Sequence, residues 1–148
     1  MGDRPNAHNV SKAGSAFRDV DFLIENSEHI LMVEYKNAKI FGAKKKKKFD
    51  PNSDDRVNAI AEKYYDALHY LTLLGKEKPV KYVYVLEYPG GDAVTRKRLR
   101  NRIKPLLPFQ PQKELNTGKK LIDSFDILSI EQWNQKHPYN KYPIQSVS

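Results

Sequence analysis

Two short segments in the first quarter of the chain each contain an apolar run flanked by polar residues. The segments DVDFLIEN (residues 19–26) and ILMVEYKN (residues 30–37) are rich in β-prone residues, and only SEH separates them. This pattern predicts a β-hairpin. Residues 1–18 are polar and contain glycine with few periodic apolar positions, so they predict an irregular N-terminal arm.

A long helical pattern follows the hairpin. Between Ser53 or Asp54, which can serve as the N-cap, and Gly75, which can end the helix, apolar residues recur at spacings of three and four. They are Val57, Ile60, Ala61, Tyr64, Leu68 and Leu71. The spacing predicts one amphipathic helix with a single buried face.

The second half of the chain predicts two more strands and a second helix. PVKYVYVLEYPGG (79–91) is almost continuously apolar, which is typical of a strand buried on both faces. Asp92 can cap a helix that runs to about Lys104 and is broken at Pro105. We expect a loop over 105–120. FDILSI (125–130) predicts the last strand, with a short turn or helix after it in which Trp133 covers the sheet edge.

The order of these elements is hairpin, helix, strand, helix, strand. Strands interleaved with long helices predict an α/β fold with a mixed central β-sheet flanked by helices. The strands linked through helices should pair in parallel. A chain of 148 residues suits a single domain, 1–148, that folds without a cofactor.

Four charged residues are expected on one face of the hairpin. With a loop of two or four residues centred on Ser27 and Glu28, strand pairing places residue 21 opposite residue 34 and residue 19 opposite residue 36. Because side chains alternate along a strand, the residues that share this face are Asp19, Asp21, Glu34 and Lys36. They form either a chemical site on a buried sheet or an ion-pair ladder on a solvated surface, which would contribute under about 1 kcal/mol per pair.

The charge balance favours a polyanionic partner. There are 26 Lys and Arg against 18 Asp and Glu, a net charge of +8, which suits nucleic acid. The absence of cysteine excludes disulfides and thiolate metal sites. The apolar runs are far shorter than a membrane span, and the first residues lack the apolar stretch of a signal peptide, so we expect a cytoplasmic protein that does not associate with a membrane.

Two basic segments are candidates for contact with phosphates. The first is a predicted loop, 41–52, whose lysines could neutralise phosphates or simply be solvated. They are Lys44, Lys45, Lys46, Lys47 and Lys48. The second is the predicted second helix, on which no acidic residue offsets the positive charges. These are Arg96, Lys97, Arg98, Arg100, Arg102 and Lys104.

The hairpin resembles the PD-(D/E)xK nuclease superfamily, which has the restriction-endonuclease-like fold. The resemblance is carried by Asp21 in DVDFLIEN and by Glu34 and Lys36 in VEYKN, and the order of elements after them extends it over roughly residues 19–130. The tripeptide alone should occur about twice by chance in a chain of this composition. The resemblance therefore depends on the predicted hairpin that contains the motif, and not on the tripeptide alone.

The resemblance implies a metal-dependent DNA endonuclease. Asp21 and Glu34 would be ligands of Mg²⁺, with Mn²⁺ as a substitute, and the backbone carbonyl of Tyr35 would be a third ligand. Lys36 would act as the catalytic lysine that orients the metal-bound water or offsets charge in the transition state. Small relatives include Holliday-junction resolvases, which are basic dimers, and phage or mobile-element nucleases, so DNA is the implied partner and a homodimer is one assembly the resemblance allows.

The sequence departs from the family pattern in three places. Val20 precedes the acid where many relatives have proline, and Asp19 could replace Asp21 if the register shifts by two. Residues 1–18 contain no glutamate, although many relatives carry one on a helix before the hairpin. The glutamine that RecB-like relatives carry on the following helix has no clear counterpart, because Lys63, Tyr64 and His69 lie in this region. The alternatives are a nucleic-acid-binding module that has lost catalysis and an interaction subunit without a nucleic-acid role.

Overall fold

The computed structural model describes residues 20–37, 50–88, 93–115, 118 and 120–145. In this part of the chain, four strands form one sheet in the order β1-β2-β3-β4. The strands are β1 (Phe22–Glu25), β2 (Ile30–Asn37), β3 (Val80–Glu87) and β4 (Ile122–Leu128). The predicted arm, residue 19 and the predicted basic loop up to residue 49 lie outside the described residues.

The predicted hairpin and its register are confirmed. β1 and β2 pair antiparallel, with Phe22 opposite Val33 and Glu25 opposite Ile30, so four residues form the loop. Asn26 organises that loop, because its side-chain oxygen accepts hydrogen bonds from the backbone N–H groups of Glu28 and His29. A short polar side chain that bonds its own backbone in this way is typical of a turn.

The other strands complete a mixed sheet, as the order of elements predicts. β2 pairs with β3 in parallel, and β3 pairs with β4 in parallel. β3 is buried on both faces because it has strands on each side and helices above and below. The α/β class with a mixed sheet flanked by helices is therefore confirmed.

The first two helices pack on one face of the sheet. α1 (Asp54–Leu73) begins at the N-cap Ser53, whose hydroxyl accepts from the backbone N–H of Arg56, and Gly75 follows its end at a φ of +75°. α2 (Ala93–Ile103) buries Leu99 and Ile103. Residues from these helices form a core with the facing side chains of the strands, among them Met32, Tyr82, Tyr84 and Phe125.

The opposite face carries a smaller core beneath α4 (Ile130–Gln135). Trp133 and Tyr139 stack with their ring centroids 4.7 Å apart and pack with Val33, Val83 and Val85. The expectation that Trp133 covers the sheet edge is wrong, since the indole covers a sheet face. Its ring N–H donates to the carbonyl of Tyr142, which holds the C-terminal segment in place.

The predicted loop over 105–120 and both predicted ends of the last strand are wrong. The segment expected to be a loop contains a 3₁₀ turn (Lys104–Leu106) and a short helix, α3 (Phe109–Leu115). β4 also begins three residues earlier than predicted and ends at Leu128, because Ser129 caps α4 through a reciprocal capping box with Gln132. In the described part of the chain, none of the helices has the length and apolar character needed to span a membrane.

Candidate functional site

Asp21 and Glu34 come together at one end of the hairpin. The strand register places residue 21 opposite residue 34, one step beyond the pair Phe22 and Val33. The Asp21 carboxylate oxygen Oδ2 accepts the backbone N–H of Tyr35 at 2.8 Å. The first acid is thus joined to the strand that carries the second, and the predicted juxtaposition of these two carboxylates is confirmed.

Glu34 is buried, and one of its carboxylate oxygens lacks a hydrogen-bond partner. Only 3% of the residue is exposed, so it does not lie on the solvated face that a surface ion-pair ladder requires. Its Oε2 accepts from the Lys63 ammonium at 2.6 Å. Its Oε1 is buried without a hydrogen-bond partner. An unpartnered carboxylate oxygen in such a place is costly and invites a cation or another donor.

Burial raises the pKa of the Glu34 carboxyl above its ordinary value, and the negative charge of Asp21 adds to this effect. The hydrogen bond from Lys63 and the positive charges of Lys63 and Arg56 act in the opposite direction. The site therefore contains two acids that repel each other and two basic side chains that counter the repulsion.

Helix α1 supplies both basic side chains. Arg56 and Lys63 are seven residues apart, which is about two helical turns, so they lie on the same side of the helix. That side borders the buried stripe containing Ile60 and Tyr64, which packs on the sheet. The packing of α1 thus brings the Lys63 ammonium to Glu34.

Two buried tyrosines of β3 line the sheet beside this cluster. Tyr84 is paired with Glu34 across the parallel strands, and Tyr82 donates its hydroxyl hydrogen to the carbonyl of Ile60 at 2.7 Å. Burial raises the pKa of the Tyr84 hydroxyl, while the nearby Arg56 guanidinium opposes this shift. Burial raises the pKa of the Tyr82 hydroxyl as well, so both phenols are neutral at ordinary pH.

Lys63 and Arg56 belong to this cluster, although the sequence predicts a role for neither of them. Lys63 lies in the region of the helix where RecB-like nucleases carry a glutamine. The signal was available in the helical pattern, because Lys63 lies three residues after Ile60, at the margin of the apolar stripe. A lysine at that margin can reach a carboxylate on the underlying strand.

Lys36 lies two residues after Glu34 in β2, so strand alternation places it on the same face. It is half-buried, and its partner position in β3 is Leu86. Tyr35, whose carbonyl is the predicted third ligand, lies between the two in the same strand. Asp19, the alternative acid, lies outside the described residues, as do the five lysines from Lys44 to Lys48.

Glu87, a further acid at the end of β3, does not join the site. It accepts the backbone N–H of Ile130 at 2.7 Å, at the first residue of α4 on the opposite face of the sheet. Among the described residues, no three His, Cys, Asp or Glu side chains converge as metal ligands would. Among the residues that the structure describes, the carboxylates brought together at the candidate site are those of Asp21 and Glu34.

The basic face of α2 is partly neutralised by acids from other elements. Arg102 bonds the carboxylate of Asp54 at 2.6 Å and also donates to the carbonyl of Asn52. Arg100 donates to the carbonyl of Phe125 at 2.9 Å and lies 3.8 Å from the carboxylate of Asp126. The helix itself carries no acid, but acids of α1 and β4 offset the charge of these two arginines. Lys97 and Arg98 are exposed, and Arg96 is half-buried.

Comparisons with models of protein families, with curated proteins and with solved structures found no match to this chain.

Proposed function

We propose that the protein is a divalent-metal-dependent nuclease that hydrolyses phosphodiester bonds in DNA. The observation that carries this proposal is the meeting of Asp21 with buried Glu34, whose Oε1 lacks a hydrogen-bond partner. The restriction-endonuclease-like fold and membership of the PD-(D/E)xK superfamily are parts of the same proposal.

The donor set fits Mg²⁺ or Mn²⁺. Both ions prefer oxygen ligands, and Mg²⁺ is commonly held by one or two carboxylates while water and substrate phosphate fill the other positions. Asp21 and Glu34 would supply the carboxylates, and the backbone carbonyl of Tyr35 would supply a third oxygen. A bound cation would also satisfy Glu34 Oε1 and relieve the repulsion between the two acids.

The residues around the pair have separate roles in the proposed reaction. The ion would supply a Lewis acid that offsets negative charge growing on the phosphate. Lys36, on the same face of β2, would orient the attacking water and stabilise the developing charge. Lys63 holds Glu34 through Oε2 and so fixes the direction in which Oε1 points. Hydrolysis would form one phosphorus–oxygen bond from water and break the bond to the leaving alcohol.

The test is a cleavage assay with plasmid, branched and single-stranded DNA in Mg²⁺, in Mn²⁺ and in EDTA. We expect cleavage only with a metal ion. The cleavage rate of Glu34→Gln should be lower by at least about 100-fold, because the variant removes a strong electrostatic contribution to transition-state stabilisation. The cleavage rate of Lys36→Ala should fall by a comparable factor, and this variant should remain folded. Glu28→Gln makes the same chemical change at an exposed carboxylate in the hairpin turn and should cleave normally.

The rival function is a nucleic-acid-binding module that does not cleave. It is motivated by the lack of a glutamate in residues 1–18 and by the ion pair that already engages Glu34. DNA binding without cleavage in both metal ions would support this rival and contradict the nuclease proposal. Weak binding that is insensitive to salt would contradict both and favour an interaction subunit.

A further inference from the structure

A cleft of about 610 Å³ lies between the 3₁₀ turn Lys104–Leu106, α3 and the residues just before β4. Its lining includes Lys104, Phe109, Gln110, Gln112, Lys113 and Lys120. None of these residues belongs to the cluster around Glu34. The cleft lies in the segment that the sequence predicted to be a loop, and it adds basic residues to those already considered for contact with phosphates.

The charges in the cleft favour an anion. Of its described lining residues, three carry a positive charge and none carries a negative charge. Two acids lie at its margin and are engaged there: Glu114 accepts from the amide of Gln110 at 3.1 Å, and Asp123 lies 3.3 Å from Lys120. Asp123 is shared with Lys81 and His29, so it neutralises Lys120 only in part.

An aromatic ring lies among these lysines. Phe109 is half-buried, with part of its side chain packed against the core. The Lys104 ammonium lies 4.9 Å from the ring centroid. A cation at a partly exposed ring is held more weakly than a stacked nucleic-acid base, so a base can displace the flexible lysine from the ring. The released ammonium can then contact a neighbouring phosphate.

The cleft is held in shape by Gln112. Its side-chain oxygen accepts the backbone N–H groups of Leu121 at 2.8 Å and Ile122 at 3.1 Å, and its amide donates to the carbonyl of Ile122 at 2.7 Å. These three bonds join α3 to the start of β4, which positions the ring of Phe109 and Lys113 relative to the sheet. A ligand therefore meets a wall that is already ordered, which lowers the cost of binding.

We infer that this cleft binds a short single-stranded stretch of nucleic acid, with phosphates on the lysines and one base stacked on Phe109. Basic grooves with an aromatic platform are suited to single strands, because every base has a flat face to stack. In a duplex those faces are occupied by neighbouring bases. The identity of the partner rests on the proposed function, but binding at this cleft does not require cleavage.

The test measures binding of a fluorescent oligothymidylate of 20 residues and of a hairpin duplex in EDTA, where no divalent ion is present to support cleavage. Phe109→Leu keeps an apolar side chain and removes the ring. We expect it to weaken single-strand binding about tenfold, within the range for loss of one base stack, and to leave duplex affinity within about twofold. The dependence of single-strand affinity on salt concentration should be the same in Phe109→Leu as in the unmodified protein.

A charge variant and a matched control complete the design. Lys113→Gln alters an exposed lysine of the cleft, so it should fold normally, and it should reduce the slope of log affinity against log salt by about 0.7 for the single strand. Lys141→Gln makes the same change at an exposed lysine outside the cleft and should leave affinity and slope unchanged.

Several outcomes would overturn the inference. They are unchanged single-strand affinity in Phe109→Leu, equal losses for single strand and duplex, or competition by a polyglutamate peptide that is as effective as unlabelled oligonucleotide. If one of these results is obtained and the protein still cleaves DNA with a metal ion, only the inference about the cleft is contradicted and the nuclease proposal is not. Conversely, normal oligonucleotide binding by a protein that never cleaves DNA would contradict the nuclease proposal alone.

Discussion

Glu34 belongs both to the candidate site and to the buried part of the central sheet. It lies in β2, one residue beyond the last pair with β1, and it pairs with Tyr84 of β3. Its side chain is almost completely buried, and a carboxylate in that position is tolerated only when a partner offsets the loss of hydration. Lys63 provides that partner from α1. The pair therefore connects a helix to the centre of the sheet.

Replacement of Lys63 with methionine should destabilise the protein. The variant leaves the Glu34 carboxylate buried without the ammonium that it binds. We expect the free energy of unfolding to fall by about 3 kcal/mol. This value is near the lower limit for breaking a buried ion pair, because 21% of the Lys63 side chain is exposed. Urea denaturation in EDTA measures this change.

The control is the double variant Lys63→Met with Glu34→Gln, which removes both charges. It should recover part of the lost stability, because no unpaired carboxylate remains. Identical unfolding curves for Lys63→Met and the unmodified protein would show that the ion pair contributes nothing.

At the scale of elements, Asp123 joins β4 to its neighbours. Its carboxylate bonds Lys81 of β3 at 2.8 Å and lies 3.3 Å from both Lys120 and the ring of His29, in the hairpin turn. The hydrogen bond from Lys81 holds the pKa of Asp123 below its ordinary value of 3.8, and Lys120 adds to this effect. One side chain thus connects three segments at one end of the sheet.

Asp123→Asn should lower stability in a pH-dependent way. A carboxylate whose pKa is depressed in the folded state binds protons more readily when unfolded, so its contribution is present above pH 3.8 and is lost as the pH falls through the folded value. At pH 7 we expect the free energy of unfolding of the variant to be lower by about 1 kcal/mol, which is the upper end for a partly exposed ion pair. This difference should shrink toward pH 2.5. Thermal unfolding across this range measures it, and a difference independent of pH would contradict the assignment.

Elements with a clear repeat could be predicted from sequence, and elements held by tertiary contacts could not. Two β-prone segments joined by a loop of even length place Asp21 opposite Glu34, because the length of the turn sets the register of the strands. Helix α3 was missed because Pro111 reads as a helix breaker, although it lies in the first turn, where its missing N–H costs no helical bond. The partnership of Lys63 with Glu34 depends on how α1 crosses the sheet, which no local pattern contains.

The same limit applies to charge at the scale of the whole molecule. The sequence gives a net charge of +8 but not which basic side chains are engaged internally. In the structure Arg102 is bound to Asp54, whereas Arg98, four residues earlier on α2, is exposed. Contact with DNA by residues of this helix, like the homodimer and the cytoplasmic location, remains a prediction.

A matched pair of variants separates DNA contact from internal pairing. Arg98→Ala should reduce the slope of log affinity for duplex DNA against log salt by about 0.9, as for one lost phosphate contact, and leave the melting temperature nearly unchanged. Arg102→Ala should mainly lower the melting temperature, since it removes bonds to the region that precedes α1 and to its first residue. Anisotropy titrations at several salt concentrations, combined with thermal melts, distinguish the two. Equal slopes for Arg98→Ala and the unmodified protein would remove Arg98 from the DNA interface.

The coverage of the second sheet face depends on a small part of the chain. Trp133 donates to the carbonyl of Tyr142, and Asn134 exchanges two hydrogen bonds with the backbone of Ile144. Cleavage by a protease near Ser129 would release this cover and bare the valines beneath it. An apolar sheet surface of that kind promotes aggregation. Loss of solubility after such a cut would thus arise on the side of the sheet opposite Glu34, and it should not be mistaken for damage to the acidic pair.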